Sequence, residues 1–232
     1  LHEDQGGYSE QLRFDEKLEE MRIADFSGFG PSPSEFEQIL QDNRLSIDGY
    51  TLGRSRDIPH LDSACGRYFK YRDFIECGET QEAEQLENRP ERPETYTALF
   101  DLATNLLDPI IDYFGMVRLT YGFCSAQLNK KIPGRIAPKL DQHASHELNR
   151  LGNPICERLG AAVDFIVEYE DMFEVSQWIA ENLEFDRLYF YGKDRPIHLS
   201  FSESPTQQVT VMKRGGKAQK LLPRSYSVDN FL

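Results

Sequence analysis

The sequence predicts an α+β fold: a small, mostly antiparallel sheet with flanking helices, preceded by an N-terminal extension. Three observations carry this. Leu99, Leu102, Leu106, Leu107, Ile110 and Phe114 recur at helical spacing. Short alternating segments, Arg187–Tyr191 and Pro196–Phe201, flank a tight turn at Gly192–Arg195, as in a hairpin. Finally, 39% hydrophobic and 12% aromatic residues supply enough apolar material to offset the entropy of ordering a core.

Charge and cysteine usage exclude some functions. A formal charge of −13 repels phosphate backbones and anionic lipid, so neither general nucleic-acid binding nor membrane association is expected. No apolar run approaches the roughly 20 residues of a membrane span. Cys65, Cys77, Cys124 and Cys156 form no CxxC pair in a chain of 232 residues. They read as reduced thiols, which predicts a cytoplasmic protein.

Residues 1–66 form the expected extension. Its first twenty residues hold seven carboxylates and two basic side chains, a solvated lead-in. Ser32-Pro33-Ser34-Glu35 makes a capping box with proline in the first turn, predicting a helix from Pro33 to Asn43. Asp48-Gly49 predicts a hairpin turn. The main domain is expected over 67–203. Tyr68–Ile75 reads as a strand or a short helix, and the polar run Glu79–Glu94 as a connector. The long helix spans Glu94–Phe114, kinked or restarted at Pro109, which lacks an N–H, and closed by Gly115. Met116–Phe123 alternates as a strand, and Ser125 starts a short helix. Gly160–Val167 reads as a buried strand and Asp171–Leu183 as an amphipathic helix, with a last strand over Gln207–Met212. The tail, 204–232, is basic, with five cationic residues against one acidic, and reads as solvated or docked on its own domain.

The order of these pieces is distinctive. ALFDLATNLLDPIIDYFG (Ala98–Gly115) leads into VRLTYGFCSAQLN (Val117–Asn129). After a polar stretch come ERLGAAVDF (Glu157–Phe165) and FDRLYFYGKDRPIHLSF (Phe185–Phe201). This resembles the zinc D-alanyl-D-alanine carboxypeptidase family, particularly its phage-type peptidoglycan peptidases. There, a helix with an LDP stop precedes SGYRSxxxN, then HxxGxAxD, then a strand with a WxHVSF-like end. YFKYRDFIECGET (Tyr68–Thr80) and Asn88-Arg89-Pro90 resemble the segment leading into such domains.

The resemblance implies zinc as cofactor, with Asp164 as its carboxylate ligand and His198 as the histidine of the last strand. Three other positions depart from the family pattern. Glu157 stands where the first ligand histidine is expected, Cys124 replaces the arginine of GYRS, and Tyr191 replaces the glutamate base. A phenol with a pKa near ~10 is a poor base at neutral pH. The insertion Asp141–Cys156 offers replacements, so the third metal ligand is expected among His143, Cys156 and Glu157. Glu147 and Glu157 are the candidate bases, and Tyr191 is a candidate donor. If His143–Glu147 is helical, His143 and Glu147 share a face. Arg187 and Arg195, beside Asp186 and the last hairpin, are candidates for gripping a substrate carboxylate. Two functions follow: a metal-dependent hydrolase of small peptide or amide bonds, or a non-catalytic descendant binding a peptide or protein partner.

Overall fold

The computed structural model describes residues 58–132, 141–215 and 220–232. The chain divides into two compact units, Leu1–Gly53 and Arg54–Leu232. The first unit, with the predicted helix at 33–43 and the turn at Asp48-Gly49, lies outside the described residues. The second contains both expected breaks, 66/67 and 203/204, within one body.

Within that unit β1 (Ala64–Cys65) and β2 (Phe69–Lys70) form a small antiparallel sheet. The segment read as strand or helix is therefore both, since β2 runs straight into α1 (Tyr71–Glu76). The polar connector begins with a short helix, α2 (Glu79–Glu84). Asn88 then locks the connector. Its buried amide donates to Ile75 O and Phe123 O at 2.7 and 2.8 Å, and its carbonyl accepts from Ser125 N at 2.8 Å.

The long apolar helix forms as α3 (Pro93–Leu102), a π-helical segment (Ala103–Leu107) and α4 (Asp108–Phe114). The α-helix restarts at Asp108 with Pro109 in its first turn, and just before it the helix widens by one residue, Asp108 N–H reaching Ala103 O, five residues back. The wider turn accommodates a residue that lacks an N–H and would press on the carbonyl four residues back. The rod thus continues, and Leu102, Ala103, Leu106, Leu107 and Ile110 are all fully buried. Each large side chain among them contributes roughly 1.5–3 kcal/mol. Gly115, at φ 89°, ends the rod in a conformation that a Cβ would strain.

The main sheet has six strands in the order β3-β4-β6-β5-β7-β8. They are β3 (Val117–Tyr121), β4 (Ala161–Val167), β5 (Arg187–Phe190), β6 (Ile197–Phe201), β7 (Gln208–Gly215) and β8 (Lys220–Tyr226). Every pairing is antiparallel except β5 with β7. The sheet is therefore mixed. Part of the expected tail is integral to it, because β7 offers its backbone to the open edge of β5. Short helices α5 (Ala126–Asn129) and α7 (Val228–Phe231) and the amphipathic α6 (Met172–Asn182) complete the unit. Ser125 and Asp171 cap α5 and α6 by accepting from Leu128 N and Phe173 N. No helix among the described residues is long and apolar enough to cross a membrane.

Strand register separates the two faces of this sheet. Val117, Val163, Phe165, Val167, Leu188, Ile197, Leu199 and Val209 share one face, each no more than 3% exposed. The helical rod and α6 pack on that side. The other face carries one transverse row, Tyr121–Asp164–His198–Tyr189, each residue directly opposite the next. Directly opposed residues on antiparallel strands project to the same side. A bulge between Leu119 and Tyr121 sets Tyr121, rather than Thr120, against Asp164.

Gly160 opens β4 at φ +77°, and a Cβ there would lie 2.0 Å from Phe201 O. Gly160→Ala is expected to destabilise the fold by at least about 1–3 kcal/mol from backbone strain alone. Urea denaturation measures the loss.

Candidate metal centre

Three side chains converge at the middle of the polar face. Asp164 and His198 are cross-strand partners on β4 and β6. His143 comes from a 3₁₀ turn, Gln142–Ala144, whose entrance is capped by the buried Asp141 carboxylate accepting from His143 N at 3.1 Å. Asp164 Oδ1 lies 2.8 Å from His198 Nδ1 and 3.2 Å from His143 Nε2, and the two ring nitrogens are 3.1 Å apart. Among the described residues this is the one group of three or more His, Cys, Asp or Glu with ligand atoms all within 4.8 Å.

The hydrogen bonding turns a lone pair of His143 toward Asp164. His143 Nδ1 lies 2.7 Å from Gly122 O, an acceptor, so Nδ1 carries the hydrogen. Nε2 of the neutral ring then has only a lone pair to offer, and it faces the Asp164 oxygen, another acceptor. A proton or a cation between them relieves the repulsion. Burial raises the Asp164 carboxyl, but the neighbouring His143 and His198 outweigh it, holding its pKa well below the usual carboxylate range. Burial also lowers the pKa of His198, against the opposing pull of Asp164.

The donor set fits a metal ion. Two imidazoles and one carboxylate form the three-ligand pattern that leaves a fourth position open. A tetrahedral ion with bonds of roughly 2.0–2.1 Å separates its ligand atoms by about 3.3 Å, close to the 2.8–3.2 Å seen here. The carbonyl behind His143 is the outer hydrogen bond that fixes a ligating imidazole's tautomer. Asp164 keeps 29% of its side chain accessible, so the centre opens on a cavity of about 530 Å³. Glu79, Gln81 and Glu82 of α2 line it, with Arg118, Tyr121, Asp141, Tyr189 and Tyr191.

His143 reaches the centre although it lies well upstream of Asp164. Ser145 Oγ donates to Gly160 O at 2.5 Å and Gln142 Nε2 to Leu159 O at 3.1 Å. These contacts bring the turn against the start of β4, and residues 146–158 form an excursion between the two footings. Cys124 N–H binds His143 O at 2.9 Å, anchoring the turn from the β3 side as well.

The other sequence candidates separate. Cys156 is fully buried, its thiol pushed up by desolvation, and it does not join the cluster. Glu157 lines a different cavity with His146, Arg158 and Glu203, because it belongs to the excursion rather than to β4. Glu147 does not share a helical face with His143. The backbone turns at Ser145 (φ 49°), and the Glu147 carboxylate lies at the start of α3. There it accepts from Glu91 N and Arg92 N at 3.2–3.3 Å and from Thr95 Oγ1 at 2.8 Å. Tyr191 does line the cavity beside the cluster. Burial, then the Asp164 charge, push its phenol above its ordinary pKa, so it is suited to donate rather than accept. Arg187 lies on the site face of β5, but neither it nor Arg195 lines the cavity. Arg118 does, with Nε 3.2 Å from Glu168. The alternation of β3 put Arg118 on one face in the sequence, but which face depends on the sheet register.

Replacing Glu147 separates its structural role from a catalytic one. Glu147→Ala is expected to cost about 1–3 kcal/mol of stability by leaving buried donors unmatched, with metal affinity unchanged in a titration. Comparisons of the chain with protein-family models, curated proteins and solved structures found no match.

Proposed function

We propose that the domain is a zinc-dependent hydrolase of small peptide or amide bonds, built on the plan of the zinc D-alanyl-D-alanine carboxypeptidases with a remodelled site. The observation that carries the reading is the convergence of His143 Nε2, Asp164 Oδ1 and His198 Nδ1, with a carbonyl fixing the tautomer of His143. His143 serves as the third ligand in place of Cys156 or Glu157. A zinc ion held there would supply Lewis acidity and a water acidic enough to ionise near neutral pH. Asp164, His143 and His198 would hold it on one side, leaving the opposite side to the cavity. Tyr191 donates a hydrogen bond toward the reacting carbonyl. Glu79 and Glu82, on the α2 wall, are the carboxylates available to take a proton. Arg118 is the cation available to a substrate carboxylate now that Cys124 is buried and bonded through its N–H to His143 O. A cavity of about 530 Å³ suits a ligand the size of a short peptide. Peptidoglycan peptides are the substrate class to which the family likeness points.

A second reading is favoured by Tyr191. A phenol at the position of the expected base, with Glu147 engaged elsewhere, fits a pseudo-peptidase that keeps the metal to bind a peptide or protein partner.

Zinc binding is the first test. Metal analysis is expected to find zinc, lost on Asp164→Ala or His198→Ala. Free zinc at 100 times its dissociation constant adds about 2.7 kcal/mol, or roughly 5–10 °C in melting temperature for a domain this size. A metal-free protein whose melting temperature ignores added zinc removes the hydrolase reading. Turnover separates the two readings. The zinc-loaded chain is expected to cleave small dipeptides, with weak or absent D-Ala release from muropeptides. Full zinc loading with no turnover of any dipeptide would establish the binding module instead.

A further inference from the structure

His143 and Gln142 leave the same short turn in opposite directions. His143 faces the metal cavity, while Gln142, 1% exposed, donates its amide to Asp186 Oδ2 at 2.9 Å and to Leu159 O at 3.1 Å. Asp186 is fully buried just ahead of β5. Besides Gln142, its carboxylate accepts from Arg158 Nε and Nη2 at 2.8 and 2.5 Å, and from Thr206 Oγ1 and N at 2.7 and 3.0 Å. Its own N–H binds Ser200 O on β6 at 2.8 Å, two residues from His198.

A continuous path therefore joins the two histidines. It runs from His198 along β6 to Ser200, across to Asp186, through its carboxylate to Gln142, and so to His143. We infer that Asp186, acting through Gln142, is a positioning residue that fixes the distance between His143 Nε2 and His198 Nδ1. The inference rests on the metal reading of the site and extends it to residues that touch no ligand atom.

The need for such a brace follows from the turn itself. Three residues of 3₁₀ helix have poor hydrogen-bond geometry and little internal rigidity. The contacts on the cavity side, Gly122 O to His143 Nδ1 and Cys124 N to His143 O, hold the histidine itself. Ser145 Oγ on Gly160 O holds the end of the turn, and Gln142, projecting the other way onto the buried Asp186 carboxylate, holds its start. Arg158 is the counter-ion that lets Asp186 stay charged while fully buried, so the amide meets a fixed anion rather than a mobile hydroxyl.

The test compares three full-length chains: wild type, Gln142→Ala and Arg158→Ala. Zinc affinity is measured by competition with a chromophoric chelator, the visible spectrum after cobalt substitution, and melting of the metal-free form. Gln142→Ala cuts the brace but leaves Arg158 and Thr206 on Asp186. It is expected to weaken zinc binding about 10- to 100-fold, alter the cobalt spectrum, and move metal-free melting by no more than about 2–4 °C. Arg158→Ala is expected to lower metal-free melting more, with a smaller loss of zinc affinity. Wild-type zinc affinity in Gln142→Ala overturns the inference. So does a loss of affinity in the two variants that merely follows their loss of melting temperature. A wild-type chain that binds neither zinc nor cobalt overturns the metal reading with it, whereas normal wild-type binding with an indifferent Gln142→Ala overturns this inference alone.

Discussion

The polar half of the domain is organised around an electrostatic conflict. Three electron-rich atoms, two on imidazoles and one on a carboxylate, are held within hydrogen-bond distance of one another in a mostly buried setting. One ring has already given its hydrogen to a backbone carbonyl. Proteins bury such groups at high cost unless a proton or a cation compensates them. The apolar side of the sheet makes the conflict sustainable. Phe165, Ile197 and Leu199, the sequence neighbours of Asp164 and His198, are buried on the opposite face and fix the strands that carry both. Packing on one face thus sustains unfavourable polar proximity on the other.

The sequence made much of this architecture legible, and the reasons are local. Ser125 and Asp171 marked helix starts because their side chains accept from N–H groups two or three residues away. Gly115 marked a helix end because its conformation excludes a side chain. Asp164 and His198 were singled out by the resemblance of their segments to a family's motifs, and their register on β4 and β6 brings them side by side. Which of His143, Cys156 and Glu157 lies beside Asp164 and His198 was not legible. Cys156 and Glu157 sit nearest to Asp164 along the chain, but the footing at Leu159–Gly160 carries the earlier turn to β4 and excludes the nearer residues. Glu147 misled for a related reason. Its i, i+4 relation to His143 holds only in a helix, and the left-handed backbone at Ser145 ends the turn first.

Other features depended on partners distant in sequence. The parallel pairing of β7 with β5 has no local signature, because both strands read the same whichever neighbour they find. The π segment before Pro109 is also a compromise that no single residue announces. A proline in an apolar helix reads as a kink or a restart. Here the cost of breaking would be to expose Leu106, Leu107 and Ile110, and widening the backbone keeps all three buried.

The excursion over residues 146–158 has a consequence for how spacing in sequence relates to geometry. Its feet are tied together by Ser145 and Gln142 to Leu159 and Gly160, Glu147 and Cys156 are buried, and its exposed outer part, 148–154, is a loop that costs only about 0.6 kcal/mol more for each doubling in length. Residues can therefore accumulate there without moving the histidine on one foot or the aspartate beyond the other. Motifs defined by fixed spacing then dissolve while the atoms they describe stay in place. A centre footed in this way keeps its geometry while the spacing between its residues changes.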